Sequence, residues 1–135
     1  MSIQLSTAVR NARLDAIETA IGASAILKLR TGAAPANCAA ADSGTVVATI
    51  ACPADWAAAA ASGSKALQGT WQDLSADNAG TVAHFRLYAS DGTTCHMQGT
   101  VTATGGGGDL TLDNVVVAAG QQISITSFTL TDGNG

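Results

Sequence analysis

At 135 residues the chain has the length of one domain, with no room for a second catalytic module. Apolar residues make up 47% of it, but aromatics only 4% and charged residues 12%, so the interior has to be assembled from small side chains such as alanine and valine. A net charge of -4 excludes a protein that tracks phosphates, because such affinity needs concentrated cationic charge.

The opening segment MSIQLSTAVRNARLDAIE is interrupted by Arg10, Arg13, Asp15 and Glu18, so it lacks the apolar run of a secretory leader, and none is expected. Ser6 or Thr7 can cap a helix that runs to Ile21, with Gly22 at the position where helices commonly turn left-handed. Leu14, Ile17 and Ile21 give this helix one narrow apolar face. A helix so short is marginal alone and has to dock. The expected organisation is a helix or arm over 1–22 followed by a β domain over 23–135.

From Leu27 the period changes: Leu27 and Leu29 alternate with Lys28 and Arg30, which predicts a half-buried strand ending at Thr31-Gly32. Pro35 and Asn37 break the Ala-rich stretch 33–43, so a loop around Cys38 is expected. A second strand over 46–51 is stopped by Cys52-Pro53. Residues 55–61 are expected to form a helical turn, and as the longest small-apolar run they fall far short of the ~20 residues of a membrane span. A third strand over 65–71 is weakened by Gly69.

Two alternating runs, 81–88 and 93–102, flank Asp91-Gly92, a strong hairpin signal. Alternation puts Phe85 and Leu87 on the core face and His84, Arg86 and Tyr88 on the other. In the partner run Cys95, Met97 and Val101 share one face and His96, Gln98 and Thr100 the opposite one. Gly105 to Gly108 read as a flexible connector before 110–112 and 115–117. A last strand over 122–131 buries Ile123 and Ile125, then shifts face through a bulge or bend. Short strands punctuated by Gly, Asp, Asn and Ser predict a mainly β fold: an antiparallel β-sandwich or jelly-roll-like domain preceded by one N-terminal α-helix.

Few side chains converge on chemistry. His84 and His96, at similar distances from the hairpin turn, could share an exposed face near Asp91 or Asp109, but outward polar alternation explains both residues and no further ligands stand at a recognised spacing. No metal or cofactor is expected. Cys95 and His96 are consecutive strand residues pointing apart, so they cannot act as nucleophile and base. The cysteine count of three is odd, so at least one thiol is free within the chain. Cys95 is expected inward as a buried thiol or in a disulfide with Cys38, Cys52 being the other partner Cys38 could reach. The glycine run lacks the Lys-Ser/Thr of a phosphate loop. Asp73, Asp77, Asp91, Asp109, Asp113 and Asp132 read as turn residues bonded to nearby backbone.

Charge is uneven along the chain. The first thirty residues hold Arg10, Arg13, Lys28 and Arg30 against Asp15 and Glu18, whereas the remainder is strongly acidic, which suits oriented contact with an acidic protein surface. Trp56 and Trp71 read either as interface anchors or as core. The helix TAVRNARLDAIETAIG, the segment LKLRTGAAPANCAAADSGTVVATI, the hairpin FRLYASDGTTCHMQGTV and the ending LTLDNVVVAAGQQISITSFTLTDGNG resemble small virion structural proteins of tailed bacteriophages over nearly the whole chain. The resemblance implies a non-enzymatic architectural role, foremost a capsid decoration or cement protein that binds the major capsid protein or other virion proteins. Such a protein is expected to be a homo-oligomer, assembled in the host cytoplasm and resident in the virion, with neither nucleic acid nor membrane as partner. Arg10, Arg13, Leu14, Ile17, Ile21, Trp56 and Trp71 are the expected partner-binding residues. The alternative is a tail or fibre-associated module whose loops at 33–44 and 104–109 touch the host surface.

Overall fold

The computed structural model describes residues 3–132. Helix α1 spans Thr7–Ile21; extended Ser6 caps it by accepting the Val9 amide at 3.2 Å, and Gly22, at φ 90°, closes it with its own amide on the Glu18 carbonyl. Leu14 and Ile21 are buried and Ile17 partly so. The helix therefore docks on its own body rather than standing apart as an arm.

Among the described residues ten strands follow: β1 Ile26–Thr31, β2 Val46–Ala51, β3 Ser64–Ala66, β4 Trp71–Asp73, β5 Gly80–Tyr88, β6 Cys95–Ala103, β7 Leu110–Leu112, β8 Val116–Val117, β9 Ile123–Ile125 and β10 Thr129–Thr131. The main sheet runs β2-β1-β5-β6-β7, with β8 pairing the start of β5. Its named pairings are antiparallel except β6 with β7, which is parallel.

Over the apolar face of this sheet lies a bent ribbon. β3 pairs β10 and β4 pairs β9, so 64–73 and 123–131 run side by side and break together. Thus the single strand expected over 65–71 is two strands interrupted near Gly69 (φ 76°), and the face shift expected in the last strand is a complete change of sheet. Trp56, Trp71, Phe128 and Phe85 form a continuous aromatic chain with centroid spacings of 6.1, 5.9 and 5.6 Å. The scarce aromatics key the interior, and Leu27, Leu29, Ile50, Leu87, Ile123 and Ile125 fill around them.

Two expectations of local structure fail for a common reason: backbone groups find better partners. Residues 55–61 are not helical, because the amides of Ala58 and Ala61 bond the carbonyls of Ala66 and Ser64, while those of Ala57 and Ala60 bond carboxylates on α1. The glycine run is a pinned loop, not a slack connector. The Gly108 amide donates to Thr102 Oγ1 at 2.9 Å, and Asp109 accepts from the Thr100 amide and hydroxyl. A Cβ at Gly108 would sit 2.8 Å from the Thr102 backbone nitrogen, so only glycine lets the chain return beside β6 to form the parallel pair. Among the described residues no helix is long and apolar enough to cross a membrane.

Candidate functional site

The outer face of the main sheet carries most of the unusual polar chemistry. Alternation aims Lys28 and Arg30 of β1 and His84, Arg86 and Tyr88 of β5 away from the aromatic core, and the register sets Lys28 beside Arg86 and Arg30 beside His84. This face was expected to meet solvent, yet Arg30, His84, Arg86 and Tyr88 are all buried. Residues 32–45 fold back over it as a strap.

Asp42 on the strap collects three donors: Arg30 Nη2 at 3.0 Å, Tyr88 Oη at 2.7 Å and Arg86 Nη1. Arg86 also donates to the carbonyls of Cys38 (2.9 Å) and Ala40 (3.2 Å), Gln98 Nε2 to Pro35 (2.7 Å), and His84 Nδ1 lies 2.7 Å from the Gly32 carbonyl. Asn37 folds the strap tip by accepting the amides of Ala39 and Ala40. Partial burial pushes the Asp42 carboxyl up, but hydrogen bonds from Tyr88 and Arg86 and the two guanidinium charges outweigh it and hold the group below the ordinary carboxylate value. Burial, then the bond to Asp42, pushes the Tyr88 phenol up to about 12.

β6 departs from simple alternation at one place. Leu87 faces Met97 but Tyr88 faces Cys95, so the register slips by one residue at His96. The bulge turns Cys95 to the outer face, where its thiol donates to the Met97 carbonyl at 3.4 Å and has Cys38 of the strap as a neighbour, and the inward position expected for Cys95 is incorrect. The same slip and pairing separate the histidines: His84 is buried opposite Thr100, whereas His96 is exposed at the bulge. Among the described residues no group of three or more His, Cys, Asp or Glu side chains stands close enough to hold a metal ion.

A second polar cluster fixes the helix. Lys65, with a side chain 0% exposed, donates to Asp15 at 2.7 Å and lies 3.0 Å from Glu18. Asn11, Asp15 and Glu18, one stripe of α1, also accept the amides of Gly63, Ala60 and Ala57 in turn. Apolar periodicity does not register this polar stripe, although its spacing is as regular as that of Leu14, Ile17 and Ile21.

The expected partner-binding residues are largely spent on the chain itself. Leu14, Ile21, Trp56 and Trp71 are buried in its own interior, where the ribbon and helix close over the sheet. Trp56 Nε1 donates to the Gly22 carbonyl at 2.9 Å and Trp71 Nε1 to that of Trp56 at 3.1 Å. Ile17 is partly buried, Arg10 donates to the Asp132 carbonyl at 3.1 Å, and Arg13, 60% exposed, pairs with Asp132 at 3.3 Å. Among the described residues Ile3, Val9, Leu74 and Val116 are the large apolar side chains left exposed. A shallow groove of about 400 Å³ is lined by Asp113, Asn114, Gln121, Gln122, Ser124 and Thr126 together with Leu112 and Ile123. No known protein family, no curated protein and no solved structure matches the chain.

Proposed function

We propose that the chain is a non-enzymatic structural protein of tailed-phage virions, a decoration protein that binds the major capsid protein in many copies as a homo-oligomer. The finer architecture we assign it is a β-sandwich of jelly-roll type, with the main sheet as one layer and the bent ribbon as the other. One observation carries the reading: the buried cations Arg30, Lys65 and Arg86 are each paired with carboxylates of the same chain and used to fasten the helix and the strap. Titratable groups committed to clamping shape suit a part that is repeated and stacked, where many weak contacts replace one strong one. The exposed Ile3, Val9, Leu74 and Val116 supply sticky surface for such contacts.

A second reading, a tail or fibre-associated module that contacts the host surface, is favoured by the groove at 112–126. Its amides, hydroxyls and single carboxylate suit the hydroxyl groups of a neutral glycan. Electron cryo-microscopy of intact particles separates the two. Density at repeated positions over the head supports decoration, a few copies at the tail support the alternative, and absence of the chain from purified particles sinks both.

A further inference from the structure

We propose that Cys38 and Cys95 are an oxidisable pair whose disulfide locks the strap onto the outer face of the main sheet. The strap backbone is fixed above β5 and β6 by Gln98 on Pro35 and by Arg86 on Cys38, which brings residue 38 over that strand pair. The bulge at His96 turns Cys95 to the same face, opposite Tyr88 and beside Arg86, whose guanidinium holds the Cys38 carbonyl at 2.9 Å, so the two cysteines are near neighbours under the strap. Both cysteines are partly exposed, so a small reagent reaches them, whereas Cys52 is buried in the hydrophobic core with its thiol pushed up to about 12 by burial. The odd cysteine is thereby protected and the pairing is unambiguous.

The oxidant is a low-molecular-weight disulfide. One protein thiolate attacks a sulfur of the small disulfide, forming a mixed disulfide and expelling a small thiolate. The second protein thiolate then attacks the protein sulfur of that mixed disulfide, and the other small thiolate leaves. Two protein thiols become one S–S bond, the small disulfide is reduced to two thiols, and the two cysteine protons end on them. Burial and the neighbouring Cys38 push the Cys95 thiol up while Arg86 pulls it back only in part, so closure quickens with rising pH. A chain made in a reducing compartment would carry the clasp open and close it outside. The pairing concerns the chain alone and stands whether or not the virion reading does.

The test equilibrates the full chain with oxidised glutathione, quenches it and maps the peptides. Free thiols should fall from three to one, with Cys38 linked to Cys95 and Cys52 alkylated only after denaturation. The closed form should melt roughly 10 °C higher, since the bond ties off a long loop. Its amides over 36–42 should exchange more slowly. Cys38→Ser and Cys95→Ser should each abolish closure, and Cys52→Ala should leave it intact. Three thiols persisting in excess oxidant, a bond to Cys52, a disulfide dimer, or closure without slower exchange in the strap would each overturn the proposal.

Discussion

The helix and the strap are each fastened by a small ion cluster, and the two clusters are opposite in charge and in burial. Under the helix the centre is the cation Lys65, 0% exposed, and the arms are Asp15 and Glu18, 47% and 23% exposed. Under the strap the centre is the anion Asp42, 39% exposed, and the arms are Arg30 and Arg86, 7% and 1% exposed. Water reaches the arms of the first cluster and the centre of the second. Removing the helix centre therefore leaves carboxylates that can rehydrate, whereas removing the strap centre strands two guanidiniums that cannot. A count of ion pairs would rate the clusters alike; which partner is left dry is what separates them.

The largest expected effect is thus at Asp42. Asp42→Ala should cost about 3–5 kcal/mol in urea unfolding, the range for leaving a buried charge unpaired. A loop pinned without charge should come next: Gly108→Ala forces a Cβ against the Thr102 backbone and should cost about 1–3 kcal/mol, with no dependence on salt. Lys65→Met keeps the buried stem, removes the charge and should cost about 1–2 kcal/mol, the scale of charged hydrogen bonds partly replaced by water. Amide exchange should rise over α1 in that variant and over the strap in Asp42→Ala. If Lys65→Met proved as costly as Asp42→Ala, burial of the arms would not be the deciding difference.

The two regions also differ in how far the sequence revealed them. The helix, its Ser6 and Gly22 ends, the strand at 46–51 and the Asp91-Gly92 hairpin were readable because each is decided by local propensity and period. The strap was not, because covering an outward face is a tertiary event that alternation cannot register. One signal was present: Lys28, Arg30 and Arg86 share the outer face, and among residues 32–45 Asp42 is the sole carboxylate available to meet them. The inward assignment of Cys95 failed for a narrower reason, since a one-residue bulge reverses every side chain beyond it. The 55–61 stretch misled because alanine favours helix only where no neighbour claims its amides.

The smallest expected effect, and the sharpest on the contrast, is that of pH. Asp15 and Asp42 are both held below the ordinary carboxylate value. Each contributes stability that is present above the unfolded value of about 4 and is lost as pH falls through the lower folded one. Acid should nevertheless open the strap before the helix, because protonating Asp42 leaves Arg30 and Arg86 dry and unpaired. Alkali should reverse the order. Lys65 is held above the ordinary lysine value, its bonds to Asp15 and Glu18 outweighing burial, so its contribution is present below the unfolded value and is lost as pH rises through the folded one. The guanidiniums keep their charge there, and the ion cluster under the strap loses only the Tyr88 proton, at about 12. Hydrogen exchange corrected for intrinsic rates, followed in α1 and in 32–45 at both extremes, reads the two orders directly. Regions that open together in acid and again in alkali would mean that the clusters do not govern them separately.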